Sequence, residues 1–208
     1  MEEQINLLFT QWQKRNIEGS FCAQGAQALD LVLSMIPPLA SVGFSGSQTL
    51  EEMGLIRALE ARGQKVYNQM APGLSPEQRM EVRRQSIQAD YYLTSANAVS
   101  LRGELVFFSA WGHRTAGIAM ARHVIVVCGI NKITADLGQA LARAREYATP
   151  LNCRRLEWNS ACVKDGICRK EICLLPEFKR MCAQLFVIEA EMSLGRLKVV
   201  MVGESLGF

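Results

Sequence analysis

A chain of 208 residues with 49% hydrophobic and 21% charged side chains can bury a core of its own, which excludes wholesale disorder and any dependence on disulfides. A formal net charge of +3 is too small for a nucleic-acid track, and the basic pairs Arg83-Arg84 and Arg154-Arg155 are short enough to be solvated faces. The acidic start Met1-Glu2-Glu3, with no apolar run near the roughly 18 residues of a membrane span, predicts a cytoplasmic protein without a span, whose seven cysteines are reduced thiols or metal ligands.

No stretch rich in Pro, Gly or Ser divides the chain, so one domain over 1–208 is expected. Apolar residues at helical spacing (Ile5, Leu8, Phe9, Trp12, then Leu29, Val32, Leu33, Ile36) predict two N-terminal helices within 1–38, interrupted near Gly19-Ser20 and closed by Pro37-Pro38. Leu39 to Phe44 reads as a strand that runs into the polar turn Ser45-Gly46-Ser47-Gln48-Thr49 and a helix through Leu55, Ile56 and Leu59. Lys65 to Tyr67 is a weaker strand. Ser75-Pro76-Glu77-Gln78 combines an N-cap serine, a proline at the first helical position and a glutamine three residues after the cap, predicting a helix to about Gln88.

Tyr91 to Thr94 reads as a strand, and Val99–Leu101 faces Glu104–Phe108 across Arg102-Gly103 as a hairpin. His123 to Cys128 carries the β-branched run of a strand covered on both faces, followed by a helix at about Asp136 to Tyr147. After Pro150 the pattern breaks into cysteines and charges, until Leu185–Glu189 and Leu197–Val202 suggest a closing hairpin around Leu194-Gly195-Arg196. Alternating strands and helices predict a three-layer α/β/α fold with a mostly parallel sheet, to which the last pair could add antiparallel edges.

Three polar loops then fall at the carboxyl ends of strands, where open α/β sheets bind ligands. They offer Gly43, Ser45, Gly46, Ser47 and Thr49, then Thr94 and Asn97, then Asn131 and Lys132. Small residues let backbone N–H groups approach an oxyanion, and a following helix presents its positive end, so phosphate or carboxylate would suit the first loop. A plain turn capped by Ser47 or Thr49 fits the same residues. Arg114 offers a planar fork for such an anion, and His113 offers an acid or base, with a structural helix-start histidine as the alternative. His123 reads as a strand boundary.

Cys162, Cys168, Cys173 and Cys182 lie close enough in sequence to bind zinc or an iron–sulfur cluster, yet their spacings match neither a zinc ribbon nor a ferredoxin, and small packed thiols are the alternative. Cys22, Cys128 and Cys153 read as separate core thiols. Asp90, Glu104 and Glu204 are acids equally consistent with structural use, and no nucleophile stands out.

The stretches Val42 to Thr49, Ala89-Asp90 through Ala98, Gly103 to Val106, Gly112-His113-Arg114, Val124 through Ile133, Pro150 to Leu156 and Val202 to Phe208 together resemble the bacterial lactate-utilisation (LUD) family, over most of the chain from about residue 40. The family commonly has asparagine where this chain has His113. The resemblance implies the NagB/RpiA/CoA-transferase-like fold group, and members of the subgroup tend to carry a cysteine-rich segment, matched here over 153–183 with altered spacing. The first loop is also similar in kind to the phosphate-gripping loop of ribose-5-phosphate isomerases.

Three functions follow as expectations: a site for a small anionic metabolite of lactate or related organic-acid use; a non-catalytic metal- or iron–sulfur-binding subunit of an oxidoreductase assembly, in contact with other lactate-oxidation subunits; or a ligand-sensing module. A homo-oligomer is compatible with each.

Overall fold

A computed structural model describes residues 1–208. Helix α1 (Glu2–Lys14) leads not to a second helix but to strand β1 (Glu18–Cys22), and α2 (Gly25–Met35) follows. The expectation of two helices before any strand is thus corrected. β1 is an edge strand with a largely exposed, polar surface, so it lacks the apolar alternation that announces a half-buried strand.

β2 (Val42–Phe44), α3 (Gln48–Glu52), α4 (Leu55–Ala61), β3 (Val66–Tyr67), α5 (Pro76–Ser86) and β4 (Tyr91–Thr94) come next. The α5 start is as predicted: Ser75 Oγ accepts from the Gln78 N–H, while the Gln78 side chain accepts from the Ser75 N–H. β5 (Ala98–Ser100) and β6 (Leu105–Ser109) form the expected antiparallel pair. Then come α6 (His113–Met120), β7 (His123–Gly129), the 3-10 turn Ile130–Lys132, β8 (Ile133–Thr134) and α7 (Leu137–Ala142), capped by Asp136.

The helical path does not stop near Tyr147. It passes through a π-helical turn (Arg143–Ala148) into α8 (Thr149–Arg155). Proline cannot donate to a carbonyl one turn back and its ring crowds that carbonyl, and the wider turn ends two residues before Pro150. Two strands close the chain, β9 (Gln184–Ile188) and β10 (Leu197–Val202).

Six strands form one parallel sheet in the order β1-β10-β7-β4-β2-β3, and four form a second in the order β8-β5-β6-β9. β9 and β10 therefore make no hairpin: β9 pairs antiparallel with β6, while β10 lies between β1 and β7 in the interior of the main sheet.

Side-chain alternation on β7 and β10 splits the core. Val124, Val126, Val199 and Met201 pack toward α1, α6 and the second sheet, whereas Ile125, Val127, Val200 and Val202 pack toward α2, α3 and α4. The layers are thus helices, the parallel sheet, then helices joined by the second sheet. α7 and the π-turn cover that sheet's outer face through Ala140 and Ala144. No helix is long and apolar enough to cross a membrane.

Candidate functional site

Because all the strands of the main sheet run the same way, the segments that follow β2, β4, β7 and β10 emerge at one edge. The chain passes from β2 outward to β3 and then back across β2 to β4, so the β2/β4 junction is where the winding direction reverses and a crevice opens.

Lys132 stands at this edge. It is only 3% exposed, and its Nζ donates to Thr49 Oγ1 and to Ser95 Oγ, both at 2.8 Å. No carboxylate lies within ion-pair distance of it. Burial lowers its pKa to about 8; nearby Cys128 and the more distant Glu52 carboxylate oppose that shift, and the cations Arg143 and Arg114 add to it. Arg114, from the first turn of α6, bridges the crevice: its guanidinium donates to the Phe108 carbonyl at 2.9 Å, to Asn97 Oδ1 at 3.4 Å and to the Gly46 carbonyl at 3.1 Å. It too has no acidic partner, and burial lowers its pKa. From beneath, Arg143 donates to the Asn131 and Asn97 carbonyls and so ties the loops after β4 and β7 together.

Six of the residues expected to contact a ligand line one small cleft: Gly46, Ser47, Thr49, Asn97, Arg114 and Lys132. Ser47 caps α3 by accepting from the Leu50 N–H. That helix has only five residues, so the positive character of the cleft comes from Lys132 and Arg114 more than from a helix dipole.

The other candidates lie apart from the cleft. Ser45 and Thr94 are fully buried and hydrogen-bonded to each other at 2.7 Å below the loops. Gly43 serves packing, since a Cβ there would stand 2.1 Å from the Ser86 carbonyl oxygen. Asn131 holds the C-terminal tail through the Gly207 carbonyl and the Leu206 N–H.

His113 faces a neighbouring cleft, where burial, with Arg114 and Arg83 nearby, lowers its pKa to about 3 and leaves a neutral imidazole. It is neither a cationic ligand nor an acid poised near neutrality. This second cleft shares Gly46, Asn97, Arg114 and Asn152 with the first and is walled by two tryptophans. Trp111 meets Trp158 edge-on at 6.1 Å, and the Arg83 guanidinium lies 5.8 Å from the Trp111 ring centroid. A cationic pocket therefore opens beside an aromatic wall.

None of the three acids lines either cleft. Asp90 accepts from the Ser41 N–H and hydroxyl, Glu104 pairs with Arg15, and Glu204 accepts from the Gly25 N–H.

Sequence reasoning passed over Ser95, Arg143 and Asn152. Ser95 belongs to a loop that the sequence singled out, and Asn152 to a stretch that carries the family resemblance. Arg143 had no signal, because nothing in a helical run of charged residues marks the one that turns inward.

The structure gathers Cys162, Cys168, Cys173 and Cys182 around one small void. Cys153, which sequence reasoning set aside as a separate core thiol, lines the same void because α8 extends past Pro150. As they stand, no three Cys, His, Asp or Glu side chains converge closely enough to hold a metal ion.

A family model described as "LUD domain" matches residues 5–202. Among solved structures, the crystal structure of a DUF162 family protein from Deinococcus radiodurans superposes with a TM-score of 0.55 at 13% identity, covering 97% of each chain. Ribose 5 phosphate isomerase A from Neisseria gonorrhoeae gives a TM-score of 0.35 at 13% identity over 54% of each chain. No curated protein matches the chain significantly.

Proposed function

This chain belongs to the LUD domain family, and from that premise we propose that it binds a small organic-acid anion at the carboxyl edge of the parallel sheet, in the service of lactate or related organic-acid use. One observation carries the reading: the buried Lys132 and the half-buried Arg114 face one cleft, and neither has a carboxylate in ion-pair contact. An uncompensated buried charge is costly, and proteins retain one where a ligand completes it.

Thr49 and Ser95 hold the ammonium by accepting its protons, which leaves it one donor for the ligand. Arg114 is fixed by two backbone carbonyls and by Asn97, so little side-chain freedom is lost on binding. The carboxylate meets these cations, and the apolar remainder of the ligand extends toward Trp111 and Trp158 in the adjoining cleft.

Calorimetry with lactate, acetate and inorganic phosphate tests the reading. Saturable binding of the carboxylates by wild type, lost in Lys132→Met, supports it. Equal affinity in the variant, or binding of phosphate alone, would overturn it.

A further inference from the structure

We propose that Cys153 and the thiols of the cysteine-rich segment together form a zinc site. The segment from Leu156 to Ala183 contains no helix or strand, a length of irregular chain that compact domains seldom carry without a function or a cross-link. Its packing is inverted relative to a hydrophobic core. Ile167, Ile172, Leu174 and Leu175 are exposed, while its buried residues are Ser160, Ala161, Cys162 and Cys173. Hydrophobic collapse does not hold such a segment; an ion gripped by its thiols would.

The electrostatics agree. Four thiolates around Zn²⁺ carry a net charge of about −2, and Arg145, Lys170 and Arg180 line the same void. The buried Nε of Arg180 has no hydrogen-bond partner in the protein, so it is free to donate to a thiolate. Ser160 Oγ stands 3.3 Å from Cys162 Sγ and supplies a further hydrogen bond from outside the ligand sphere.

Zinc takes four of the five thiols, Cys153 among them. Cys153 is the only one supplied by a helix, and it anchors the site to the domain. The sulfurs must close inward from their present positions. Closure of the irregular segment onto the buried, helix-borne Cys153 supplies that movement. Binding therefore orders the segment and displaces thiol protons.

The test uses the full chain, purified under reducing conditions and exposed to zinc alone. Expected are about one tightly held zinc per chain, a thiolate charge-transfer spectrum on cobalt substitution, loss of both in Cys153→Ser, and their retention in Cys22→Ser, whose thiol lies on β1. In wild type, zinc should shield at least one of the partly exposed thiols Cys168 and Cys182 from alkylation and the segment from proteolysis, a readout that stands even if a variant fails to fold. No stoichiometric zinc, unchanged zinc in a folded Cys153→Ser, Cys168 and Cys182 both left unshielded, or iron with visible cluster absorption would each overturn the proposal.

Discussion

Gly43 and Ser86 touch backbone to backbone: a Cβ at residue 43 would stand 2.1 Å from the Ser86 carbonyl oxygen, a distance no real contact allows. The end of α5 therefore rests directly on β2, and the loop after β2 owes its position to that approach. Gly43→Ala must push α5 away or bend the strand, at a cost of at least about 2 kcal/mol by the measure of overpacked cores. Denaturant unfolding should show the midpoint falling with an unchanged slope. Stability within a few tenths of a kcal/mol of wild type would mean that the close approach is not maintained in solution.

The cap of α5 gives a milder case. Ser75 Oγ satisfies the Gln78 N–H at 3.2 Å at an exposed helix end. Ser75→Ala should cost about 1 kcal/mol, and Ser75→Asp, which keeps the acceptor and adds a negative charge at the helix start, should recover most of it. Thermal melts of the two variants decide this, and an alanine variant as stable as wild type would remove the cap from the account.

This cap was legible in the sequence because its chemistry is local, and so was β7, whose Val-Ile-Val-Val run has no half-exposed alternative. β10 carries the same kind of run in Val199 to Val202 and is buried on both faces, but its nearness to β9 in sequence suggested a hairpin. The eight residues between them are far more than a tight turn needs, which is consistent with the chain moving from one sheet to the other. The site was legible by segment and not by residue. Loop position predicts which stretches meet, whereas the burial of Lys132 depends on how the segments after β2 and β4 close over it. Cys153 could not be placed without knowing that the helix survives Pro150.

Glu191 and Arg196 form a largely buried pair at 2.6 Å beside β10, and the same guanidinium donates to the Ile118 and Ala121 carbonyls at the end of α6. Burial alone would raise the pKa of Glu191, but hydrogen bonds from Arg196 and the Ser193 N–H outweigh it and hold the carboxyl below its ordinary value. A carboxylate with a depressed pKa adds stability that is complete above about pH 5 and fades as the pH falls through the acid range. Glu191→Gln should cost about 2–4 kcal/mol at neutral pH, because it strands the guanidinium, and the deficit should shrink on acidification. A deficit that stays constant down to pH 3 would show that the ion pair is not its source.

Lys132 makes the opposite demands on stability and on binding. Its pKa in the folded protein, about 8, lies below the ordinary lysine value of 10.5 because of burial. Between these values the unfolded chain holds a proton that the folded chain has released, so this group makes stability rise with pH across that window. Below pH 8 the charged form bears the full cost of burial. Anion binding needs the ammonium, so carboxylate affinity should be level below pH 8 and fall above it, with protons taken up on binding near the midpoint. Lys132→Met removes both trends. The hydroxyls it leaves keep partners, since Thr49 still donates to the Leu206 carbonyl and Ser95 to the Ala96 carbonyl. The variant should be more stable than wild type at pH 7, blind to carboxylates, and matched by wild type toward pH 10. Urea unfolding of both proteins from pH 6 to 10 isolates the effect, because every other titrating group is common to the two, and parallel stability profiles would show that Lys132 is not held in a costly charged state.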